Sequence, residues 1–325
     1  MAVPTDWPNR LCVGGCERGL SGVTLTGAFI AWVPPRSKGA MSVTRWSNTP
    51  IEVRFRTVDG LTVRVAESQS RGQQALLLSP WPESLLAYEQ LWVPLAEHAR
   101  LVAIDLPGFG RSERSDALLS PAAMGDFIVR AADVFGLDNP HVLAPSQNTA
   151  AVLFAAARHV GRLRTLVVGG GPAAIPLKLG GLLAHFVDCA DPDVYRAANP
   201  RQSVTDLLTG LQRYNLPDEV RQDYLCCYEG DRLVQSMAYM RTYPRQLAGL
   251  HNLLPKISAP VQIIAGRHDP MVPPVNAQVL HQQLPNSSLA LLDAGHFVWE
   301  DTAEEYAALV STWWGAHRAN ITPTR

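Results

Sequence analysis

From Ile51 the chain alternates apolar and polar residues. IEVRFRTV and LTVRVAES flank Asp59-Gly60 and read as two antiparallel strands joined by a tight turn. ALLLS, at Ala75 to Ser79, is a continuous apolar run of the kind a strand buried on both faces requires. A helical stretch over Tyr88–His98 follows, then RLVAIDLPG, a helix over Pro121–Phe135, HVLAPS at His141 to Ser146, an alanine-rich helix, and LRTLVVGGG at Leu163 to Gly171. Parallel neighbours need a crossover connection, and a helix is the usual one, so this rhythm predicts a parallel sheet with helices on both faces. Between Pro172 and Lys256 amphipathic segments rich in Leu, Tyr and Arg replace the apolar runs. The rhythm resumes with APVQIIAGRHD, a helix over Val275–Gln283, SLALLDAGH, and a closing helix over Ala303–Trp314. The expected class is α/β: a mostly parallel eight-stranded sheet with helices on both faces and an inserted helical cap over its carboxyl edge. Residues 46–171 and 257–318 would form the core, 172–256 the cap, 1–45 an extension without regular structure, and 319–325 a tail.

The first forty residues mix Gly, Pro, Cys and Arg with no sustained period, and Met41 offers an alternative start. Val23 to Val33 is apolar, but Pro34, Pro35, Arg36 and Lys38 stand where a signal cleavage site would lie, and the run is too short for a bilayer span. A hydrophobic fraction of 47% over 325 residues is enough for a full core. The formal net charge of −1 gives no general attraction to nucleic acid or anionic lipid, so neither is expected as a partner. Five cysteines form an odd set, and neither Cys12/Cys16 nor Cys226/Cys227 has a second pair at zinc spacing. Reduced thiols, no metal and a cytoplasmic location are the expectation.

In open parallel sheets ligands bind outside the carboxyl ends of the strands. Four loops fall there: SPWPES at Ser79 to Ser84, PSQN at Pro145 to Asn148, GRHDP at Gly266 to Pro270, and AGHFVWED at Ala294 to Asp301. They would bring Ser146, Asp269 and His296 to one rim. A serine hydroxyl becomes a strong nucleophile when a histidine takes its proton, and a carboxylate sets that histidine's tautomer. Each residue alone has a plainer role: Ser146 as a helix N-cap, Asp269 as a turn initiator before Pro270, His296 as a loop residue. Asp105, in DLPGFGRS, fits a turn, and VVGGGP lacks the spacing of a dinucleotide site.

With DLPGFGRSE at Asp105 to Glu113, the strand–serine–helix segment at Val142 to Ala157, AGRHDPMVP at Ala265 to Pro273 and DAGHFVWED at Asp293 to Asp301, the chain resembles the α/β-hydrolase superfamily over Ile51 to Ala316. The resemblance implies Ser146 as nucleophile, Asp269 as acid, His296 as base, and a variable cap that shapes the substrate pocket. Two places depart from the family's pattern. Where Gly-x-Ser-x-Gly is usual, Ala144 and Asn148 flank Pro145, Ser146 and Gln147, and asparagine brings bulk to a crowded turn. SPWP replaces a His-Gly pair, and Pro80 cannot adopt glycine's backbone angles. By position the oxyanion donors are the backbone N–H groups of Trp81 and Gln147. The implied activity is hydrolysis of a small ester-type substrate through an acyl-enzyme, with no cofactor. Carbon–carbon bond hydrolysis, cofactor-free perhydrolysis and non-catalytic ligand binding are the alternatives. Tyr195, Tyr214, Tyr224 and Tyr239 either line the pocket or simply pack, and a homo-oligomer stays open.

Overall fold

In the computed structural model, which describes residues 44–45, 51–69, 72–196 and 199–318, the alternating segment forms the hairpin of β2 (Glu52–Val58) and β3 (Leu61–Glu67), with Val58 paired to Leu61. Asp59 and Gly60 both have positive φ, 53° and 79°, the combination a two-residue turn needs to match the twist of its strands. A two-residue strand, β1 (Thr44–Arg45), pairs antiparallel with β2 and adds a ninth strand at the edge, inside the segment expected to lack regular structure. The rest of that extension, Cys12, Cys16 and the tail from residue 319 lie outside the described residues.

After the hairpin, strands and helices alternate: β4 (Gln73–Leu78), α1 (Glu89–Ala96), β5 (Ala99–Ile104), α2 (Pro121–Val134), β6 (His141–Pro145), α3 (Asn148–Arg158) and β7 (Thr165–Gly169). Among the described residues five α-helices then intervene without a strand: α4 (Gly181–Asp188), α5 (Pro200–Leu208), α6 (Asp218–Cys227), α7 (Arg232–Met240) and α8 (Tyr243–His251). The sheet resumes with β8 (Val261–Gly266), α9 (Val275–Gln283) and β9 (Ser287–Leu292), and the chain closes with α10 (Val298–Asp301) and α11 (Ala303–Ala316). The strand order is β1-β2-β3-β5-β4-β6-β7-β8-β9, antiparallel up to the β3–β5 pair and parallel from there on.

Every residue of β6, β7 and β8 is buried, which explains their mostly apolar sequences, whereas β9 at the edge is half exposed. On one helix layer Gly125 of α2 meets α3 so closely that a Cβ there would lie 2.6 Å from the Ala151 carbonyl oxygen. Because β4, β6, β7, β8 and β9 all run the same way, the loops after β4, β6, β8 and β9 emerge at one end of the sheet. No helix among the described residues is long and apolar enough to cross a membrane, and Cys189, Cys226 and Cys227 are free thiols.

Candidate active site

Ser146 sits between the end of β6 and the start of α3 with φ at +56°, a left-handed conformation that costs a side-chain-bearing residue about 1–2 kcal/mol. The turn is held from both sides. The Ser146 N–H donates to the Gly169 carbonyl at 2.8 Å, and the Ser146 carbonyl accepts the Thr149 N–H at 3.1 Å. Nothing larger than glycine fits at residue 171, where a Cβ would come within 2.5 Å of the Ser146 carbonyl oxygen. This geometry projects the Ser146 hydroxyl away from the helix, so the N-cap position falls to Gln147.

The Ser146 Oγ lies 3.3 Å from His296 Nε2. On the other side of the ring His296 Nδ1 lies 2.7 Å from Asp269 Oδ2. The structure therefore brings the three separated residues together, each 4% exposed or less. Asp269 also fills its turn role: its second oxygen accepts the backbone N–H groups of Met271 and Val272 at 2.8 and 2.9 Å. Gly266, at the end of β8, allows the loop before His296 to run backbone to backbone against the loop that carries Asp269, since a Cβ there would lie 1.8 Å from the Gly295 carbonyl oxygen.

The two polar residues after Ser146 bind the turn to the end of β4. Asn148, fully buried, donates from Nδ2 to the carbonyls of Leu78, Ser79 and Pro145 at 3.1, 2.9 and 3.1 Å. The asparagine that looks too large in the sequence is thus a clamp between two strand ends. Gln147 donates from Nε2 to the Ser79 carbonyl at 3.0 Å, and its Oε1 accepts the Trp81 N–H at 2.8 Å. Trp81 Nε1 donates to Ser236 Oγ at 3.0 Å and the Tyr239 hydroxyl to the Gln147 carbonyl at 3.4 Å, both partners lying on α7. Aromatic rings extend this group: Trp81 contacts Phe186 and Tyr228 edge to face, Phe186 contacts Tyr195, and Phe109 contacts Tyr239.

A family model for the alpha/beta hydrolase fold matches residues 76–303. The chain belongs to the α/β-hydrolase family. It is 30% identical over 234 residues to a 2-hydroxy-6-oxononadienedioate/2-hydroxy-6-oxononatrienedioate hydrolase of Pseudomonas putida, covering 66% of this chain and 77% of that one. A 2-hydroxymuconate semialdehyde hydrolase of the same organism is 28% identical over 223 residues, 65% of this chain and 75% of the relative. Among solved structures, Cfl2 of Burkholderia cenocepacia superposes with a TM-score of 0.72 at 20% identity, over 84% of this chain and 99% of the other, a likeness of fold.

In this α/β-hydrolase the electrostatics around His296 are set by Asp269 together with buried carboxyls that the sequence pattern does not single out. Burial opposes charge on His296, but the Asp269 carboxylate, its hydrogen bond and the Glu83 charge outweigh that and raise the imidazole pKa above its usual 6.5. Glu83 is itself fully buried and pushed up to about 7 by desolvation, against hydrogen bonds from Glu300 and from Trp299, whose Nε1 donates to Glu83 Oε1 at 3.0 Å. Glu300 is driven well above the carboxylate range by burial and by Glu83, with the Tyr224 hydroxyl donating to it at 3.0 Å. Burial thus raises both carboxyls, and the Glu83 charge raises Glu300 further. Trp299 also packs edge to face on the His296 ring.

A second buried group joins the helices α4 to α8 to the sheet. Arg64 of β3 binds both oxygens of Asp223 on α6, at 2.8 and 3.2 Å, and Arg111 and Ser84 reach the same carboxylate at 2.9 and 2.6 Å. The guanidinium beside Asp223 outweighs desolvation and keeps that acid below its usual range. Asp105 accepts the N–H groups of Leu85 and Arg111, at 2.8 and 3.0 Å, holding the turn its motif implies. Of the four tyrosines, Tyr239 reaches the Ser146 turn through Gln147, Tyr195 packs on Phe186, Tyr224 serves Glu300 and Tyr214 binds Glu89. A surface cavity of about 560 Å³ borders Tyr214, Arg213 and α11, and its lining includes none of Ser146, Trp81 or His296.

Proposed function

We propose that this α/β-hydrolase cleaves small ester-type substrates through an acyl-enzyme on Ser146. The single observation that supports this most is the relay of Ser146 Oγ, His296 Nε2 and Nδ1, and Asp269 Oδ2, at 3.3 and 2.7 Å. The Ser146 oxygen attacks the acyl carbonyl as His296 takes its proton, and Asp269 holds the imidazole in the tautomer that leaves Nε2 free to accept. The carbonyl oxygen becomes an oxyanion and takes the N–H groups of Trp81 and Gln147. His296 returns the proton to the leaving oxygen. Water, deprotonated by the same imidazole, then attacks the acyl carbon and releases the acid and free Ser146. The helices α4 to α8 act as a cap, and the aromatic neighbourhood of Trp81, Phe186, Tyr195, Phe109 and Tyr239 suits an uncharged, apolar acyl group.

Cleavage of a carbon–carbon bond next to a ketone is the second reading, favoured by the likeness to the two Pseudomonas hydrolases. The two readings share the serine and differ in the leaving carbon or oxygen, so parallel turnover of p-nitrophenyl esters and of a vinylogous diketone ranks them. Ser146→Ala is expected to abolish both reactions and the labelling of residue 146 by a fluorophosphonate. Wild-type turnover in that variant would overturn the mechanism.

A further inference from the structure

A backbone N–H carries one proton, and in this structure the proton of Trp81 is already committed. Its acceptor is Oε1 of Gln147, at 2.8 Å, while Nε2 of the same side chain donates to the Ser79 carbonyl at 3.0 Å. The orientation of the carboxamide is determined by these neighbours, because Trp81 N–H can only donate and the Ser79 carbonyl can only accept. The side chain is 3% exposed, so its two hydrogen bonds are made away from competing water. Gln147 directly follows Ser146, and its backbone carbonyl is held by the Tyr239 hydroxyl of α7. An amide oxygen has the same hybridisation as the carbonyl oxygen of an ester and is the stronger acceptor of the two, so it is a competent occupant of that donor.

Resting on the serine-hydrolase reading above, we infer that the Gln147 side chain is an internal occupant of the Trp81 oxyanion donor, which an acyl carbonyl must displace before Ser146 can react with full stabilisation. Displacement breaks both carboxamide bonds, whereas the arriving oxygen restores only the one to Trp81. The Ser79 carbonyl is left to the Gln147 side chain in a new rotamer, to water, or to a donor on the substrate. The occupant therefore discriminates: an acyl group too small to press the carboxamide aside reacts through the Gln147 N–H alone, and a larger one opens the second donor. Gln147 thereby acts on specificity without taking part in proton transfer, and its backbone N–H keeps the donor role proposed for it whatever its side chain.

The test compares wild type, Gln147→Ala and Gln147→Glu in the second-order rate of Ser146 labelling by a fluorophosphonate, whose phosphoryl oxygen needs the same donors as an acyl oxyanion. Removing the carboxamide leaves nothing to displace, so Gln147→Ala is expected to label about tenfold faster than wild type, the worth of roughly one net hydrogen bond. Gln147→Glu keeps an acceptor on Trp81 and adds negative charge beside the developing oxyanion, and is expected to label at least tenfold slower. Far-ultraviolet circular dichroism accompanies each variant. Equal or slower labelling of folded Gln147→Ala would overturn the inference and show a prop for the loop at residues 79–83, leaving the serine mechanism intact. If Gln147→Ala does not fold, labelling of Gln147→Glu at the wild-type rate overturns it instead. Failure of all three forms to label, with Ser146→Ala indistinguishable from them, would remove both the inference and the reading beneath it.

Discussion

Asp269→Asn separates the two duties of one carboxylate. In the wild type one oxygen takes two backbone N–H groups, from Met271 and Val272, and the other faces His296 Nδ1 at 2.7 Å. An asparagine has one acceptor oxygen and one donor nitrogen, and the two amides can be satisfied only by the oxygen. Its NH2 group must then point at Nδ1, which can accept only if the imidazole proton moves to Nε2. That tautomer places a hydrogen where the Ser146 hydroxyl proton has to go. A carboxylate that would steady the imidazolium is lost as well. The wrong tautomer lowers kcat by about ten-thousandfold in sites of this kind. Since the turn keeps its acceptor and the volume is unchanged, folding should lose no more than about 1 kcal/mol. The assay is kcat and KM on an activated ester, with urea unfolding of the same preparation. An activity loss below tenfold in a stable Asp269→Asn protein would refute the argument that this residue sets the tautomer.

Other consequences follow from buried charge and close contact. In the proposed mechanism His296 must be neutral to accept a proton, and its pKa is raised by Asp269 and Glu83 against burial, so kcat/KM should rise with pH through a limb whose midpoint lies above 6.5, and Glu83→Gln should move that limb down. Glu83 has a folded value of about 7 against an ordinary 4.5, so the folded state holds a proton that the unfolded chain releases; stability is complete below 4.5 and falls as pH rises to about 7. Glu83→Gln keeps an acceptor for Trp299 and should flatten that decline, gaining at most ~3 kcal/mol at pH 8 by thermal or urea unfolding; an unchanged slope would count against the buried carboxyl pair. Asp223→Ala leaves Arg64, 1% exposed, with the longer contacts from Nη1 to Asp105 at 3.5 Å and to Cys227 Sγ at 3.9 Å, and should cost about 3 kcal/mol or more in urea. Gly266→Ala forces a methyl against the Gly295 carbonyl, and is expected to lose ~1–3 kcal/mol of stability and to cut turnover by more than it cuts substrate binding.

Some features of this α/β-hydrolase depend on pattern alone, and for those the sequence suffices. Period-two alternation around Asp59-Gly60 specifies a hairpin, and mostly apolar segments at β4, β6, β7 and β8 specify a parallel interior, because each follows from which faces of a strand meet water. Parallel order then places Ser146, Asp269 and His296 at one end of the sheet without any knowledge of distances. Asn148 shows where such reasoning stops: judged by size it crowds the turn, while in three dimensions it ties β6 to the carbonyls at the end of β4. Glu83, Glu300, Arg64 and Asp223 carry no local signature, since a carboxyl or guanidinium is exposed by default and its burial arises only when distant elements close over it. The state of the Trp81 N–H is likewise invisible in one dimension. Motif position offers the Trp81 N–H as a free donor, and only the path of the Gln147 side chain, set by φ at Ser146 and by the reach of residues 79–81, decides that the proton is already shared. Sequence determines what each residue can donate, accept or bury; tertiary structure decides which partner is near enough to take it, because hydrogen bonds and ion pairs act over a few ångströms and the chain brings those ångströms together from residues more than a hundred positions apart.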